Sequence, residues 1–233
     1  MRYPVQYYIS FALHVALWGY ILHRGRREGA FRRFRLFYTY VGVSFASLSA
    51  KMVAPYFIDR REWDYHVFYF ATNVPILVLG TALLLHIYSM VRGGERWGHW
   101  LAIGAALTLC SWQAVLSPAA DVYTGITSSV LFFQLALCTL IVFRLISNRA
   151  FTLGRNWEAI FIGISVPNVL HAVNSAAFLF EDWWPYPLYL RLIEPLSLLS
   201  WVIIAAGMRR LYPLQVTVRA GVAATGEVKS CSG

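Results

Sequence analysis

The sequence predicts an all-α membrane protein, a bundle of seven transmembrane helices with the N-terminus outside and the C-terminus in the cytoplasm. Three observations predict this class: the composition is strongly apolar, long apolar runs recur along the chain, and arginines concentrate in alternate loops. Of 233 residues, 58% are hydrophobic and only 13% are charged, whereas about 25% of residues are charged in soluble domains. Too few polar side chains are present to cover a soluble surface, so we expect the lipid bilayer to surround the chain.

Seven apolar runs approach or exceed the roughly 20 residues with which a helix crosses a bilayer. They cover residues 5–22, 36–57, 66–90, 98–116, 123–146, 157–180 and 186–208. The first run is short, but the arginines after it lack the small-residue cleavage pattern of a signal peptide, so we expect it to remain as a helix. We therefore predict one transmembrane domain over residues 1–211 and a short, disordered cytoplasmic tail over residues 212–233.

The basic residues predict the orientation of these helices. Arginines concentrate in the loops after the odd-numbered spans, most densely from Arg24 to Arg35, and acidic residues collect on the opposite side. Cytoplasmic loops are enriched in Arg and Lys, so this pattern predicts a multi-pass protein of the cell inner (plasma) membrane. The net charge of +9 then reflects topology, and we expect no nucleic-acid partner. The cluster from Arg24 to Arg35 is also a candidate site for a cytoplasmic protein partner or anionic lipid.

Charged side chains interrupt the apolar spans, although a charge near the bilayer centre costs about 2.5–3.5 kcal/mol on insertion scales. Counted along the helices from the outer surface, Arg191 lies about 7 Å deep, Lys51 about 9 Å and Glu194 about 12 Å. Other polar side chains of the spans fall at similar depths. The predicted ligand-binding residues are Lys51, Asn73, His171, Asn174, Arg191 and Glu194.

Helical spacing predicts that these polar side chains converge. Tyr40, Ser44, Ser47 and Lys51 form one stripe of the second span, because they are separated by three or four residues. Such stripes should face the interior of the bundle or a water-filled cavity. Three prolines inside spans, Pro75, Pro167 and Pro195, free backbone carbonyls beside these residues. We expect a polar pocket that opens to the outside.

Other interpretations of the same residues stay open. Lys51, Arg191 and Glu194 would also serve as an ion-paired clamp between the second and seventh helices. The amides are suited to hydrogen bonds between helices; they are Asn73, Asn174, Gln113 and Gln134. His14, His171 and Glu194 offer two histidines and a carboxylate to a metal, but no metal-binding spacing such as His-Glu-x-x-His accompanies them. We therefore predict no metal and no cofactor.

Two short segments carry a resemblance to known proteins. The segment Leu153-Gly154-Arg155-Asn156-Trp157 and the segment Arg32-Arg33-Phe34 resemble uncharacterised bacterial seven-helix integral membrane proteins. The seven spans resemble rhodopsins and bacterial seven-helix sensor modules. Rhodopsins bind retinal through a lysine of the last helix, but here the seventh span has none and Lys51 lies in the second. The resemblance thus implies a sensor-like fold without retinal, and no activity.

Together these patterns favour a sensor or ligand-binding module that takes up a small molecule from the outer side. The tail is too short for an output domain, so signalling would require a partner. A small transporter or permease and a metal-dependent intramembrane enzyme remain as alternatives. We predict no catalytic residues, since the spans contain no serine elbow, no phosphate-binding loop and no pair of carboxylates.

Overall fold

The computed structural model describes residues 5–58, 63–91, 122–147, 153–177 and 186–211, and every regular element in these ranges is helical. The helices are α1 (Val5–Arg27), α2 (Ala30–Arg33), α3 (Arg35–Val53), α4 (Trp63–Val91), α5 (Val122–Ser147), α6 (Arg155–Ala177) and α7 (Tyr186–Gly207). A 3-10 turn, Ala54–Tyr56, extends α3. The all-α class is confirmed, and six predicted spans coincide with helices. The predicted span over residues 98–116 and the tail over residues 212–233 lie outside the described residues.

Two of these helices are long and apolar enough to cross a membrane. Their apolar segments are Val67–Val91 in α4 and Thr127–Ser147 in α5, with 25 and 21 residues and mean hydropathies of 2.0 and 2.2. Both helices also present large apolar side chains on their outer surface, where Val78 is 59%, Phe143 58% and Ile146 71% exposed. Apolar surface on both the inner and the outer side is typical of a helix that is not surrounded by water.

Local sequence signals explain where the helices turn and where they continue. Gly29 adopts a positive φ of 65°, and its N–H donates to the carbonyl of Arg26 at 3.3 Å. This left-handed residue ends α1, because glycine takes that conformation without steric penalty. Pro75, Pro167 and Pro195 lie inside α4, α6 and α7 respectively, as the sequence predicts, and none of them ends its helix.

The described long helices form a closed ring. Each contacts the next in the order α1, α3, α4, α5, α6, α7, and α7 returns to α1. α1 and α7 run parallel, because Ser10 meets Glu194 near one end and the Arg24 side chain donates to the carbonyl of Arg209, at 2.9 Å, near the other. This ring places α1, α3 and α7 side by side.

Arginine-bearing helix ends meet at one end of the ring, which we call the arginine end. Its described arginines are Arg24, Arg26, Arg27, Arg32, Arg33, Arg35, Arg144, Arg155, Arg209 and Arg210. Here the Phe34 ring lies 5.1 Å from that of Trp157, and Asn156 donates to the carbonyls of Gly207 and Arg210 at 2.7 and 2.8 Å. These contacts tie the start of α3 and the end of α7 to α6.

The half of the bundle next to the arginine end is a continuous apolar core. Its largest fully buried side chains come from every long helix: Ile21, Phe34, Phe37, Leu83, Leu84, Ile87, Leu137, Ile141, Ile160, Ile164, Ile204 and Met208. One amide lies nearby, where Gln134 of α5 donates to the carbonyl of Leu77 and the hydroxyl of Thr81, at 3.0 and 2.9 Å. This confirms the predicted role of Gln134 in hydrogen bonding between helices. The other predicted glutamine, Gln113, lies outside the described residues.

Candidate functional site

The half of the bundle away from the arginine end contains a cavity with two adjacent lobes. The first lobe has a volume of about 310 Å³ and is lined mainly by α1, α3 and α7. The second has a volume of about 380 Å³ and is lined mainly by α4, α5, α6 and α7. The two lobes share six residues, Tyr40, Asn73, Ile76, His171, Ser197 and Trp201. Such volumes lie at the lower end of small-molecule sites, roughly 300–1,000 Å³.

One wall of the first lobe carries a cation. The Lys51 ammonium of α3 donates to the Oδ1 atom of Asn73 on α4 and lies 4.4 Å from the centroid of the Tyr69 ring. One turn earlier, the Ser47 hydroxyl donates to the carbonyl of Thr72 at 2.8 Å. These bonds join α3 to α4 and hold the ammonium on that side of the lobe.

The wall formed by α1 and α7 carries the opposite charge. Glu194 of α7 accepts a hydrogen bond from the Ser10 hydroxyl of α1. One turn further along, His14 Nδ1 lies 2.9 Å from the carbonyl of Ser10, and its Nε2 lies 3.2 Å from the Ser197 hydroxyl. Since a carbonyl can only accept, Nδ1 carries the proton and the Ser197 hydroxyl donates to Nε2 when the ring is neutral. These contacts hold Glu194 and His14 in position.

Aromatic rings line the first lobe on the side of the apolar core. Trp201 of α7 stacks on Tyr40 of α3 with a centroid distance of 6.0 Å and an interplanar angle of 21°. Trp18 of α1 meets Trp201 edge to face at 5.3 Å, and the His14 ring lies 5.5 Å from Trp18. Both tryptophans are buried. This aromatic floor separates the polar groups of the first lobe from the core beneath it.

The structure brings together four of the six residues that the sequence predicts for ligand binding. Lys51, Asn73, His171 and Glu194 all line the first lobe, and Asn73 and His171 also line the second. The predicted stripe of Tyr40, Ser44, Ser47 and Lys51 faces the first lobe along its whole length.

The other two predicted residues are not among the described residues that line the cavity. Asn174 is buried, at 8% exposure, but it is not among the residues that line either lobe. Arg191 belongs to α7, and its side chain lies outside the described residues. The predicted clamp therefore has two described members, Lys51 and Glu194, which bond to separate partners on separate walls.

The three side chains of the metal alternative share the first lobe. His14, His171 and Glu194 all line it. Within the described ranges, however, no three His, Cys, Asp or Glu side chains lie close enough together to hold a metal ion. The metal alternative therefore rests on the sequence alone.

Sequence reasoning did not single out several residues that shape the cavity. Ser10 bonds to Glu194, and Trp18 and Trp201 form the floor. The spacing of Ser10 and His14, four residues apart on α1, was an available signal for the serine. The tryptophans carried no such signal, because an aromatic residue in an apolar span is indistinguishable from ordinary core.

We compared the chain with models of protein families, with curated proteins and with solved structures, and none of them matches. A function for this chain must therefore be inferred from the geometry of the cavity.

Proposed function

We propose that the chain is a seven-helix integral membrane protein that binds a small polar molecule from the outer side and acts through a cytoplasmic partner. The observation that carries this proposal is that Lys51 and Glu194 line one cavity, each held by a side chain of a different neighbouring helix. That cavity lies in the half of the bundle opposite the arginine end and above a fully buried apolar core. Charged side chains within a bilayer are costly, and they usually mark a functional site.

The surface of the described helices supports a membrane environment for the whole bundle. Besides the apolar faces of α4 and α5, large apolar side chains are exposed on α1 and α7, where Ile9 is 57% and Leu199 50% exposed. A soluble protein rarely exposes so much apolar surface on several sides. The described helices account for six of the seven proposed spans, and the remaining one, fourth along the chain, is the predicted span over residues 98–116.

The apolar core favours binding over transport. A transported solute needs a polar route to the other side, and Leu83, Leu137 and Ile160 are fully buried in the half that such a route would cross. Opening that half would require separating well-packed helices. Binding in the cavity needs no such step.

The contact between α1 and α7 supplies a physical link from the cavity to the arginine end. α7 meets α1 at Glu194 beside the cavity, and at Arg209 beside the arginine end. A ligand that shifts one helix against the other would therefore move the arginines. Such a cluster suits an acidic protein surface or anionic lipid head groups, each basic residue contributing about 1 kcal/mol near a charged membrane.

The proposed topology predicts an alternating pattern of reporter fusions. The fusion sites are Arg27, Glu62, Arg96, Asp121, Arg155 and Asp182. We expect a cytoplasmic signal from the first fusion and alternation thereafter, because the arginine-rich loops stay inside. Alkaline phosphatase and green fluorescent protein fusions report the two sides independently. A periplasmic signal after Arg155 would overturn the orientation.

A matched pair of serines tests whether the cavity is open to water. Ser197 lines both lobes, whereas Ser200, less than one turn away, is only 2% exposed. In a background without Cys110, Cys138 and Cys231, we expect Ser197→Cys to react with a membrane-impermeant thiol reagent added outside and Ser200→Cys to stay protected. Mass spectrometry of the labelled protein measures the difference.

The labelling result has a clear contrary outcome. Protection of both cysteines in folded, membrane-inserted protein would mean that the cavity is dry, and the proposed binding function would fail. Equal reactivity of both would mean that water reaches the core, which would favour a transporter instead.

A further inference from the structure

The charges of the first lobe lie on separate walls and have separate partners. Lys51 is held by Asn73 and Tyr69, so its charge belongs to the wall formed by α3 and α4. Glu194 is held by Ser10, so its charge belongs to the wall formed by α1 and α7. The lobe is therefore dipolar, with a cation on one wall and an anion on the other.

Electrostatics determines which ligands such a lobe accepts. A purely anionic ligand would pair with Lys51 but approach Glu194, and a purely cationic ligand would pair with Glu194 but approach Lys51. Each would bring like charges together in a site of low dielectric constant, where repulsion is stronger than in water. A ligand with one charge of each sign pairs with both walls and leaves no repulsive contact.

The neutral groups around each charge match this arrangement. Trp18 and Trp201 also line the lobe, and indole rings suit the methylene groups of a ligand or attract its ammonium. Beside Lys51, Asn73 contributes an amide to the lining; its oxygen accepts from Lys51, and its NH2 group suits a carboxylate. The volume of about 310 Å³ restricts the ligand to a compact molecule.

We propose that the first lobe binds a small zwitterion, a molecule with one ammonium and one carboxylate group, as in an amino acid. Its carboxylate lies beside Lys51 and Asn73, and its ammonium lies beside Glu194. This inference rests on the proposed binding function and specifies the class of ligand.

A series of ω-amino acids tests the class and measures the span between the charges. The probes are glycine, β-alanine, γ-aminobutyrate and ε-aminocaproate, and binding to purified protein in nanodiscs is followed by calorimetry and thermal stabilisation. We expect one length to bind best. Its amine-only and acid-only analogues, n-butylamine and butyrate in the case of γ-aminobutyrate, should bind at least about tenfold more weakly, because each leaves one wall unpaired.

Charge-removing variants provide the decisive control. In the Glu194→Gln variant, the best ω-amino acid should bind no more tightly than its acid-only analogue. In the Lys51→Met variant, it should bind no more tightly than its amine-only analogue. These opposite changes cannot arise from general damage to the fold. Glu158→Gln, which removes an exposed carboxylate of α6, should leave the ranking unchanged.

The failure of this proposal is distinguishable from the failure of the binding function. If no ω-amino acid binds, or if singly charged analogues bind equally well, the proposal of a zwitterionic ligand is overturned. A reactive Ser197→Cys would still support a cavity that binds another ligand. If Ser197→Cys is protected, the binding function itself fails.

Discussion

Replacing Gly163 by leucine should destabilise the folded bundle by about 3 kcal/mol, at the upper end of the costs of overpacking. A Cβ atom at Gly163 of α6 would collide with the side chain of Ile204 on α7 and would lie 2.9 Å from the carbonyl oxygen of Ser200. The buried, β-branched side chain of Ile204 has little freedom at χ1 and the backbone oxygen has none, so α6 and α7 must separate. Reversible unfolding in mixed micelles measures the loss.

Gly42→Leu is the matched control for this variant. A Cβ atom at Gly42 of α3 meets nothing within 4 Å. Glycine in a helix costs about 0.5–1 kcal/mol relative to alanine, so this substitution should be neutral or slightly stabilising. If the two leucine variants have the same free energy of unfolding, then α6 and α7 do not approach closely at Gly163.

Removing either charge of the first lobe alone should destabilise the folded protein, because the other charge is then left uncompensated. We expect Lys51→Met and Glu194→Gln each to lower the free energy of unfolding by about 2 kcal/mol. This is less than the roughly 3–5 kcal/mol found for fully buried pairs, because both side chains are only half-buried. The double variant should lose less than the sum of the two singles, since it leaves no uncompensated charge.

A double-mutant cycle measures this coupling directly. A coupling energy of about 1 kcal/mol or more would show that the two walls compensate each other across the lobe. Strict additivity would show that Lys51 and Glu194 do not interact. Glu158→Gln again serves as the control, and it should cost less than about 1 kcal/mol as an exposed carboxylate in the first turn of a helix.

The positions of the helices could be predicted from the sequence because helix formation in apolar surroundings is a local matter. In the bilayer that we propose around the helices, no water bonds to the backbone. Each N–H and carbonyl must then be satisfied within its own segment, so an apolar run of sufficient length becomes a helix. The runs over residues 66–90 and 123–146 therefore coincide with α4 and α5 within a few residues. The stripe from Tyr40 to Lys51 was equally predictable, since a shared face follows from spacing on a single helix.

Which faces of different helices meet was decided only by the tertiary structure. Asn174 lies three residues after His171 and so on a similar face of α6, yet it does not line either lobe. The packing of the neighbouring helices decides which part of that face meets the cavity. The bond of Ser10 to Glu194 and the approach of Gly163 to Ser200 likewise depend on how α1, α6 and α7 are rotated against one another. That rotation is set by side-chain fit between helices distant in sequence, and hydropathy carries no information about it, because lipid and protein interior are equally apolar.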